Sequence, residues 1–329
     1  MKAVFMGSDP IALPMLEYLR AERPADIELS AVYTQPDRRT GRGMHLQANA
    51  IKTWALEHGL EVRQPVKCGP DDAAFFRSAS TEVVLVMAYG QLLPRTLLES
   101  VPLGFLNLHA SILPRLRGAS PIHTAVALGH PESGVSLMRI IPKMDAGPVA
   151  DVERVEIGPR LTSAGLHARL AEATVPLVAR NLNRVAAGQV EFTEQEDSEV
   201  TYCRIIEKTD AHLDFNQPAR DLFNRVRAFQ PWPGTSFPYD GLEIRVLEAE
   251  IDPGTTGLAA GTFHLDPDGH PSVACRTGAL RLIRLQRPGG RPMESAAFLN
   301  GLSIPEGTVL ESRGMRPLEA ARPFPWKRK

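Results

Sequence analysis

The sequence predicts an α/β chain, with a Rossmann-like, mostly parallel sheet carrying helices on both faces, followed by a smaller β-barrel. Two observations carry the first part. Apolar runs of strand length, at 4–7, 29–33, 83–87 and 105–109, alternate with segments patterned for helices, at 11–21, 51–58 and 71–78. Strands that alternate with helices imply parallel pairing through right-handed crossovers. A third observation carries the barrel: beyond residue 229 the chain breaks into short β-like runs at 243–249, 261–265, 272–275 and 280–285, separated by Gly and Pro.

Taken in order, the first turn is Gly7-Ser8-Asp9-Pro10, with Pro10 at a helix-start position. It lacks GxGxxG, so no dinucleotide is indicated. Past Pro121 come a helix-like run to Leu128, two strands at 135–140 and 148–155, and a long amphipathic pattern over 163–187 that Gly188 closes. The stretch 191–199 is acidic and poor in apolar residues, as a linker would be, and a helical pattern over 210–229 follows it. The expected division is therefore a domain at 1–189, a linker at 190–206 and a second domain at 207–329.

A chain of 329 residues is long enough for two cores, and no apolar stretch approaches the roughly 20 residues that span a bilayer. The amino terminus enters a strand-like run too short for a signal-peptide core, so a cytoplasmic protein is expected, and a monomer. Cys68, Cys203 and Cys275 are odd in number and far apart, which argues against disulfides and CxxC metal sites. A net charge of −1 conceals an asymmetry: residues 276–329 carry +7 and the first 275 carry −8. A basic block is either an electrostatic footprint for a polyanion or a solvated tail, and charge alone does not choose.

The chemistry centres on Asn107-Leu108-His109, which closes the run Gly104-Phe105-Leu106. On a strand Asn107 and His109 point to one side while Leu106 and Leu108 point to the other. If the strand ends before the turn-rich segment 114–121, the two polar groups open at the carboxyl end of the sheet, where open α/β folds place ligands. Asp145, in Lys143-Met-Asp-Ala-Gly147, lies in a turn between two expected strands. A carboxylate near an imidazole fixes its tautomer and favours its protonated form, and an amide N–H stabilises an oxygen that becomes negative in a tetrahedral transition state. Together the three outline an acyl-transfer site. Separately, Asp145 reads as a turn residue and His109 as a packed core histidine.

The surrounding residues are more specific. Phe105 to His109, then Ser111-Ile-Leu-Pro-Arg-Leu-Arg-Gly-Ala-Ser-Pro-Ile122 and Met144-Asp-Ala-Gly147, resemble the Asn-x-His, Ser-Leu-Leu-Pro and Asp-x-Gly motifs of enzymes that use 10-formyltetrahydrofolate. Within that superfamily Thr34-Gln-Pro-Asp-Arg38 with Gly41-Arg-Gly43, Gln64-Pro-Val66, Ala88-Tyr-Gly-Gln-Leu-Leu-Pro94 and Arg227-Ala-Phe-Gln-Pro-Trp-Pro-Gly234 are similar to the methionyl-tRNA formyltransferase family, over about residues 4–300. The resemblance implies formyl transfer from 10-formyltetrahydrofolate to the amino group of methionyl initiator tRNA, without a metal, and an OB-like second domain that binds tRNA. It implies Asn107 on the formyl oxygen, His109 moving the amine's proton, and Asp145 orienting His109 and a water.

It further implies folate against Ala88, Tyr89 and Gly90 and against Ser111, Ile112, Leu113 and Pro114. The loop 34–52 carries a local charge of +3 and would grip the tRNA acceptor end through Arg38, Arg39 and above all Arg42. Phe229 and Trp232 read as structural. Among Arg276, Arg281, Arg284, Arg287 and Arg291, which have no acid between them, Arg281, Arg284 and Arg287 are expected on the tRNA backbone, where contacts position without reading sequence. The chain departs from the family at 47–52, at Ile205, where a lysine is usual, and at Gly147-Pro148; these lie outside the trio. The nearest alternative is an amino-sugar formyltransferase with the same donor, against which the basic loop and carboxyl segment argue. Hydrolysis of the formyl-folate, or transfer to a purine precursor, leaves the appended basic domain unexplained. A non-catalytic tRNA-binding protein would have lost one of the trio, and all three are present.

Overall fold

The computed structural model describes residues 1–40, 45–252 and 257–325. The first strand, β1 (Lys2–Gly7), is apolar because both of its faces are covered: Ala3 and Phe5 join one core layer, Val4 and Met6 the other. A helical turn capped by the Asp9 carboxylate leads into α1 (Leu13–Glu22), and β2 (Glu28–Tyr33) returns parallel beside β1. A small hairpin, β3 (Arg38–Thr40) and β4 (His45–Gln47), stands off the sheet. It is followed by α2 (Ala50–Glu57), whose first turn is capped by the side chain of Asn49, and by the edge strand β5 (Glu61–Arg63).

The helix α3 (Pro70–Ser78) then crosses to β6 (Val83–Met87), and the short α4 (Arg95–Leu98) to β7 (Phe105–His109). After a two-residue strand, β8 (Arg117–Gly118), and α5 (Pro121–Ala127), the strands β9 (Glu132–Arg139) and β10 (Val149–Glu156) extend the sheet antiparallel. The order is β10-β9-β7-β6-β1-β2-β5, with β1, β2, β5, β6 and β7 parallel. The 24-residue α6 (Ser163–Ala186) covers one face through Leu166, Leu170, Leu177 and Leu182, which meet Leu106, Leu108, Val135 and Leu137. The other face packs on Phe76 of α3, whose ring meets Phe105 edge-on at 5.8 Å and Tyr33 at 5.3 Å.

A second sheet follows the strand β11 (Tyr202–Cys203) and α7 (Ala219–Phe229). It comprises β12 (Thr235–Tyr239), β13 (Leu242–Asp252), β14 (Phe263–Leu265), β15 (Pro271–Ala274), β16 (Ala279–Gln286) and β17 (Met293–Glu294), with α8 (Ser295–Gly301) against β16. The order is β12-β13-β16-β15-β14 with β17 on β16, all antiparallel. Irregularities around Glu248 help the sheet curl over Phe215, Phe237, Phe263 and Phe298. The end strands do not pair with each other in this order, so the expected barrel is a curled half-barrel. The sequence pattern also missed β12, because Pro233 and Pro238 break its apolar run; Pro238 is tolerated since β12 is an edge strand.

The two parts are sewn together. Gly118 and Arg117 of β8 pair with β11, and β11 pairs in turn with β18 (Glu319–Ala320), which returns from the far end of the chain. The acidic segment is also tied down: Thr193 bridges Val149, and Phe192 lies under the Arg139 guanidinium at 4.6 Å. Arg227 of α7 donates to the carbonyls of Leu161 at 2.7 Å and Gly158 at 3.4 Å, and Phe229 is buried in the first core. Trp232 departs from expectation. It is 49 % exposed, because the turn between Pro231 and Pro233 carries it out of the core that holds Phe229. The three cysteines are free and buried, and burial pushes the Cys203 and Cys275 thiols up to about 12. Among the described residues no helix is long and apolar enough to cross a membrane.

Asp210 anchors the start of the second part. Its carboxylate takes two charge-assisted bonds from Arg204 at 2.6 and 2.7 Å and one from the Glu207 N–H at 2.7 Å. Burial alone would push its carboxyl up, but the Arg204 bonds, the Glu207 N–H and the charges of Arg204 and Arg316 outweigh it and hold it below the ordinary value. Removing one partner leaves a buried guanidinium uncompensated, so Asp210→Ala is expected to cost about 3–5 kcal/mol in chemical denaturation. The lowered carboxyl contributes stability above the ordinary aspartate value of about 4 and loses it as pH falls through the folded-state value. The wild-type advantage over Asp210→Ala should therefore shrink below that pH.

Candidate active site

Along β7 the side chains alternate as the periodicity requires. Leu106 and Leu108 enter one core, while Phe105 begins the opposite face, which continues as Asn107 and His109. Among the described residues nothing hydrogen-bonds the Asn107 side-chain amide, and the residue is only half-buried, so the group stays available to a ligand. His109 is 7 % exposed, and its Nε2 lies 3.1 Å from the Leu116 carbonyl oxygen. A carbonyl only accepts, so this contact places a proton on Nε2 and, in the neutral ring, a lone pair on Nδ1. Nδ1 faces Asp145 Oδ1 at 3.8 Å, beyond hydrogen-bond reach. The tautomer is thus set by Leu116, and Asp145 acts on the ring as a nearby charge.

Asp145 occupies a left-handed conformation with φ 49°. Its Oδ2 accepts from the Gly118 N–H at 2.8 Å, and its own carbonyl accepts from Gln195 Nε2 at 2.9 Å. Gly118 is the joint between this carboxylate and the β8–β11 pairing. Its φ is 116°, and a Cβ there would lie 2.3 Å from the Cys203 carbonyl oxygen. Arg117, Gly118 and Gln195 are therefore part of the site's frame. Sequence reasoning missed Gln195, since a glutamine in an acidic stretch carries no signal before its neighbours are known.

The exit loop after β7 is pinned by Ser136, whose hydroxyl donates to the Ser111 carbonyl at 2.7 Å and accepts from the Leu113 N–H at 3.1 Å. Ser111, Ile112, Leu113 and Pro114 line a cavity of about 390 Å³ on the β9 side, with Glu132 and Arg154 in its wall. Ala88, Tyr89 and Gly90 line a different cavity, of about 610 Å³, over the ends of β1, β2 and β6, with Asp9, Gln35 and Asn49. The two segments expected on one ligand thus border separate spaces, one on each side of β7. Only main chain is offered at Tyr89, whose ring is buried and whose hydroxyl meets Cys68 Sγ at 3.2 Å. Ala88 and Gly90 are exposed with positive φ, leaving backbone open to a ligand. At the wider cavity Asp9 meets His167 Nε2 at 2.6 Å. Burial pushes its carboxyl up, but His167, the Ile11 N–H and the nearby charge of His123 hold it low; His123 itself is pushed down by burial.

The basic residues divide. Arg38 and Arg39 are exposed on β3, Arg38 at the rim of the wider cavity; Arg42 lies outside the described residues. Lys52 is held by Asp37 at 2.7 Å, and the altered loop end makes its own cap, Asn49 bonding both the Lys52 N–H and Thr34. Arg281 meets Asp266 at 2.7 Å, Arg284 lies 3.5 Å from Glu294, and the Arg287 guanidinium lies over Phe298 at 5.4 Å. Arg313 and Arg316 are likewise paired with Glu243 and Glu207. Much of the carboxyl-terminal positive charge is therefore compensated within the molecule, because its partners lie earlier in the sequence. Ile205 is 55 % exposed. Among the described residues no group of three His, Cys, Asp or Glu is placed to hold a metal ion.

Two family models match the chain, one described as formyl transferase over residues 1–182 and one as formyl transferase, C-terminal domain, over 205–303. The chain is 40 % identical over 322 residues to the methionyl-tRNA formyltransferase of Delftia acidovorans, covering 94 % of this chain and 98 % of that protein. It is 42 % identical over 315 residues to the methionyl-tRNA formyltransferase of a Methylobacterium species, covering 94 % and 99 %. Among solved structures it is similar in fold to the N-formyltransferase of Helicobacter canadensis in complex with folinic acid and dTDP-3-aminofucose, with TM-score 0.64, 16 % identity, and 88 % of this chain and 100 % of that one covered. HypX from Aquifex aeolicus in complex with tetrahydrofolic acid gives TM-score 0.57 at 17 % identity, covering 91 % of this chain and 47 % of that one.

The space at Gly118 yields a direct test. Gly118→Ala should push β8 away from β11 and withdraw the N–H that holds Asp145, costing about 2–4 kcal/mol through strain and contact. Thermal unfolding should register the loss.

Proposed function

The chain belongs to the methionyl-tRNA formyltransferase family, and from that premise we propose that it moves the formyl group of 10-formyltetrahydrofolate onto the amino group of methionyl initiator tRNA. The observation that carries the mechanism is the meeting of a side-chain amide without a partner among the described residues and a carboxylate-facing imidazole at the end of one strand: Asn107 and His109 share a face, and Asp145 stands 3.8 Å from the ring. The near full-length match to relatives named for methionyl-tRNA favours this acceptor over an amino sugar, to whose enzymes the likeness is one of fold.

The bound folate supplies the formyl group on its N10. In this reading Asn107 donates an amide N–H to the formyl oxygen as it gains charge, which is the larger part of the catalysis asked of the chain. The attacking α-amino group has an ordinary value near 8 and is partly neutral at working pH, so positioning counts for more than strong basicity. As its nitrogen bonds the formyl carbon, the amine gives up one proton. His109 receives it on Nδ1, turning a lone pair opposed to Asp145 into an imidazolium paired with it, while Nε2 stays fixed on Leu116. The same proton passes to the folate nitrogen as the bond from that nitrogen to the formyl carbon breaks, so the reaction balances without another reagent. Asp145 steadies the imidazolium as a nearby charge and orients a water along this path, while Leu116 holds the ring.

Main chain at Ala88, Tyr89 and Gly90 on one side and the loop of Ser111, Ile112, Leu113 and Pro114 on the other flank the folate, and the exposed backbone at Ala88 and Gly90 suits a pterin's polar edge. The acceptor end of the tRNA is held by the 34–52 loop, with Arg38, Arg39 and Arg42. Residues 1–189 form the catalytic domain, and 207–329 the tRNA-binding one. Of its arginines, Arg284 and Arg287 are better placed than Arg281 to take a phosphate, since Arg281 is committed to the buried Asp266. The protein works as a monomer in the cytoplasm.

Incubation with 10-formyltetrahydrofolate and methionyl initiator tRNA, with an amino-sugar nucleotide in parallel, is expected to give formyl-methionyl-tRNA; transfer to the sugar alone would refute the assignment. Asn107→Ala should lower kcat about 10²-fold or more. His109→Ala should also lose turnover, and both variants should still retain tRNA in a filter-binding assay.

A further inference from the structure

Gln195 lies between groups of opposite polarity. Its Oε1 accepts from Arg117 Nε at 2.9 Å and Nη2 at 2.7 Å, while its Nε2 donates to the Asp145 carbonyl at 2.9 Å and the Gly147 carbonyl at 2.7 Å. A guanidinium only donates and a carbonyl only accepts, so the orientation of this amide is imposed from both sides. Arg117 is 1 % exposed and has no ion-pair partner among the described residues; besides Gln195 it reaches the Tyr202 hydroxyl at 3.4 Å and ring at 5.9 Å. A buried cation without a carboxylate makes Gln195 its principal acceptor, which fixes the glutamine strongly.

We propose that Gln195 is the positioning residue of the catalytic turn, holding Asp145 in the conformation from which its carboxylate faces His109, with Arg117 as the anchor. The inference rests on the role given to Asp145 above. A left-handed conformation costs a non-glycine residue on the order of 1–2 kcal/mol and persists only where its surroundings impose it. Here the constraint has two parts. Gln195 binds the turn's main chain on both sides of Ala146, and the Gly118 N–H binds the Asp145 side chain. Gly147 leaves little alternative, since a Cβ there would lie 1.9 Å from the Arg139 carbonyl. Without the glutamine's two donors the turn keeps the Gly118 bond to the Asp145 side chain and its own long Ala146 N–H to Lys143 carbonyl bond at 3.3 Å, neither of which holds the Asp145 carbonyl, and the His109–Asp145 spacing is no longer fixed.

No other common side chain serves both neighbours at this reach. Glutamate accepts from Arg117 but sets its carboxylate against two carbonyl oxygens, and asparagine keeps both polarities but is one methylene short. Gln195→Glu therefore keeps the anchor and releases the turn. Because a misplacement of about 1 Å can cost about 10²-fold, it is expected to lower kcat about tenfold or more. The KM values for formyl-folate and tRNA should stay within about twofold, as for a group that acts only in the transition state. Thermal unfolding should shift by only a few degrees. Asp145→Asn and the double variant complete the cycle: if Gln195 acts through Asp145, adding Gln195→Glu to Asp145→Asn should change kcat less than about twofold.

Near-native kcat in Gln195→Glu, beside an impaired Asp145→Asn, overturns the inference and leaves the proposed function intact. Full turnover in Asp145→Asn removes the mechanism on which it rests. Losses that multiply in the double variant show a merely structural role and also overturn it. Gln195→Asn gives the same comparison should Gln195→Glu fail to fold, with the same fall in kcat expected.

Discussion

A strand covered on both faces has nowhere to put a polar side chain except at its end, and the rest of this molecule follows from that restriction. Ala3 to Met6 of β1, all of β6, and Phe105, Leu106 and Leu108 of β7 each feed one of two cores. Asn107 and His109 sit where the apolar alternation of β7 runs out. Burying an amide or an imidazole further back would strand it without partners, at a cost of about 1–3 kcal/mol or more. The sheet thus delivers these groups to the same edge as the turns after β1 and β6. What the edge lacks is rigidity, because the residues beyond it are loops. Rigidity comes from elsewhere in the chain: β8, β11 and β18 form a second small sheet beside it, and Gln195 and Gly118 hang the Asp145 turn from that frame.

Much of this was legible in the residues, for physical reasons that differ from element to element. The parallel strands were readable because burial on both faces demands continuous apolar runs, and α6 because 24 residues give ample room for a helical period. Asn107 and His109 were readable because a period of two is strict. Two-residue strands such as β8, β11 and β18 carry no period, so the frame behind the site was invisible. The tautomer of His109 was also out of reach: it depends on the Leu116 main chain, and any residue type there would offer the same carbonyl. Trp232 misled because aromatics between prolines resemble a core motif, whereas the turn carries this one outward.

The charge pattern teaches a separate lesson. Dividing the sequence at residue 275 separates arginines from the acids that neutralise them, since Asp266, Glu243, Glu207 and Asp210 lie before the cut while Arg281, Arg313 and Arg316 lie after it. Counting by position measures a footprint that the fold partly erases. The arginines that remain as candidates for a phosphate are those whose contacts are weak, exposed or apolar, and they are fewer than the +7 implies.

The three-stranded sheet that steadies the site also sets an order in time. Its first strand is made by residue 118, its second by residue 203, and its third only with residues 319 and 320. A chain emerging from the ribosome can complete the large parallel sheet early, since domains fold as they are synthesised. It cannot complete the frame around Gly118 until nearly all of itself has been translated. A product cut short before that point lacks one wall of the frame.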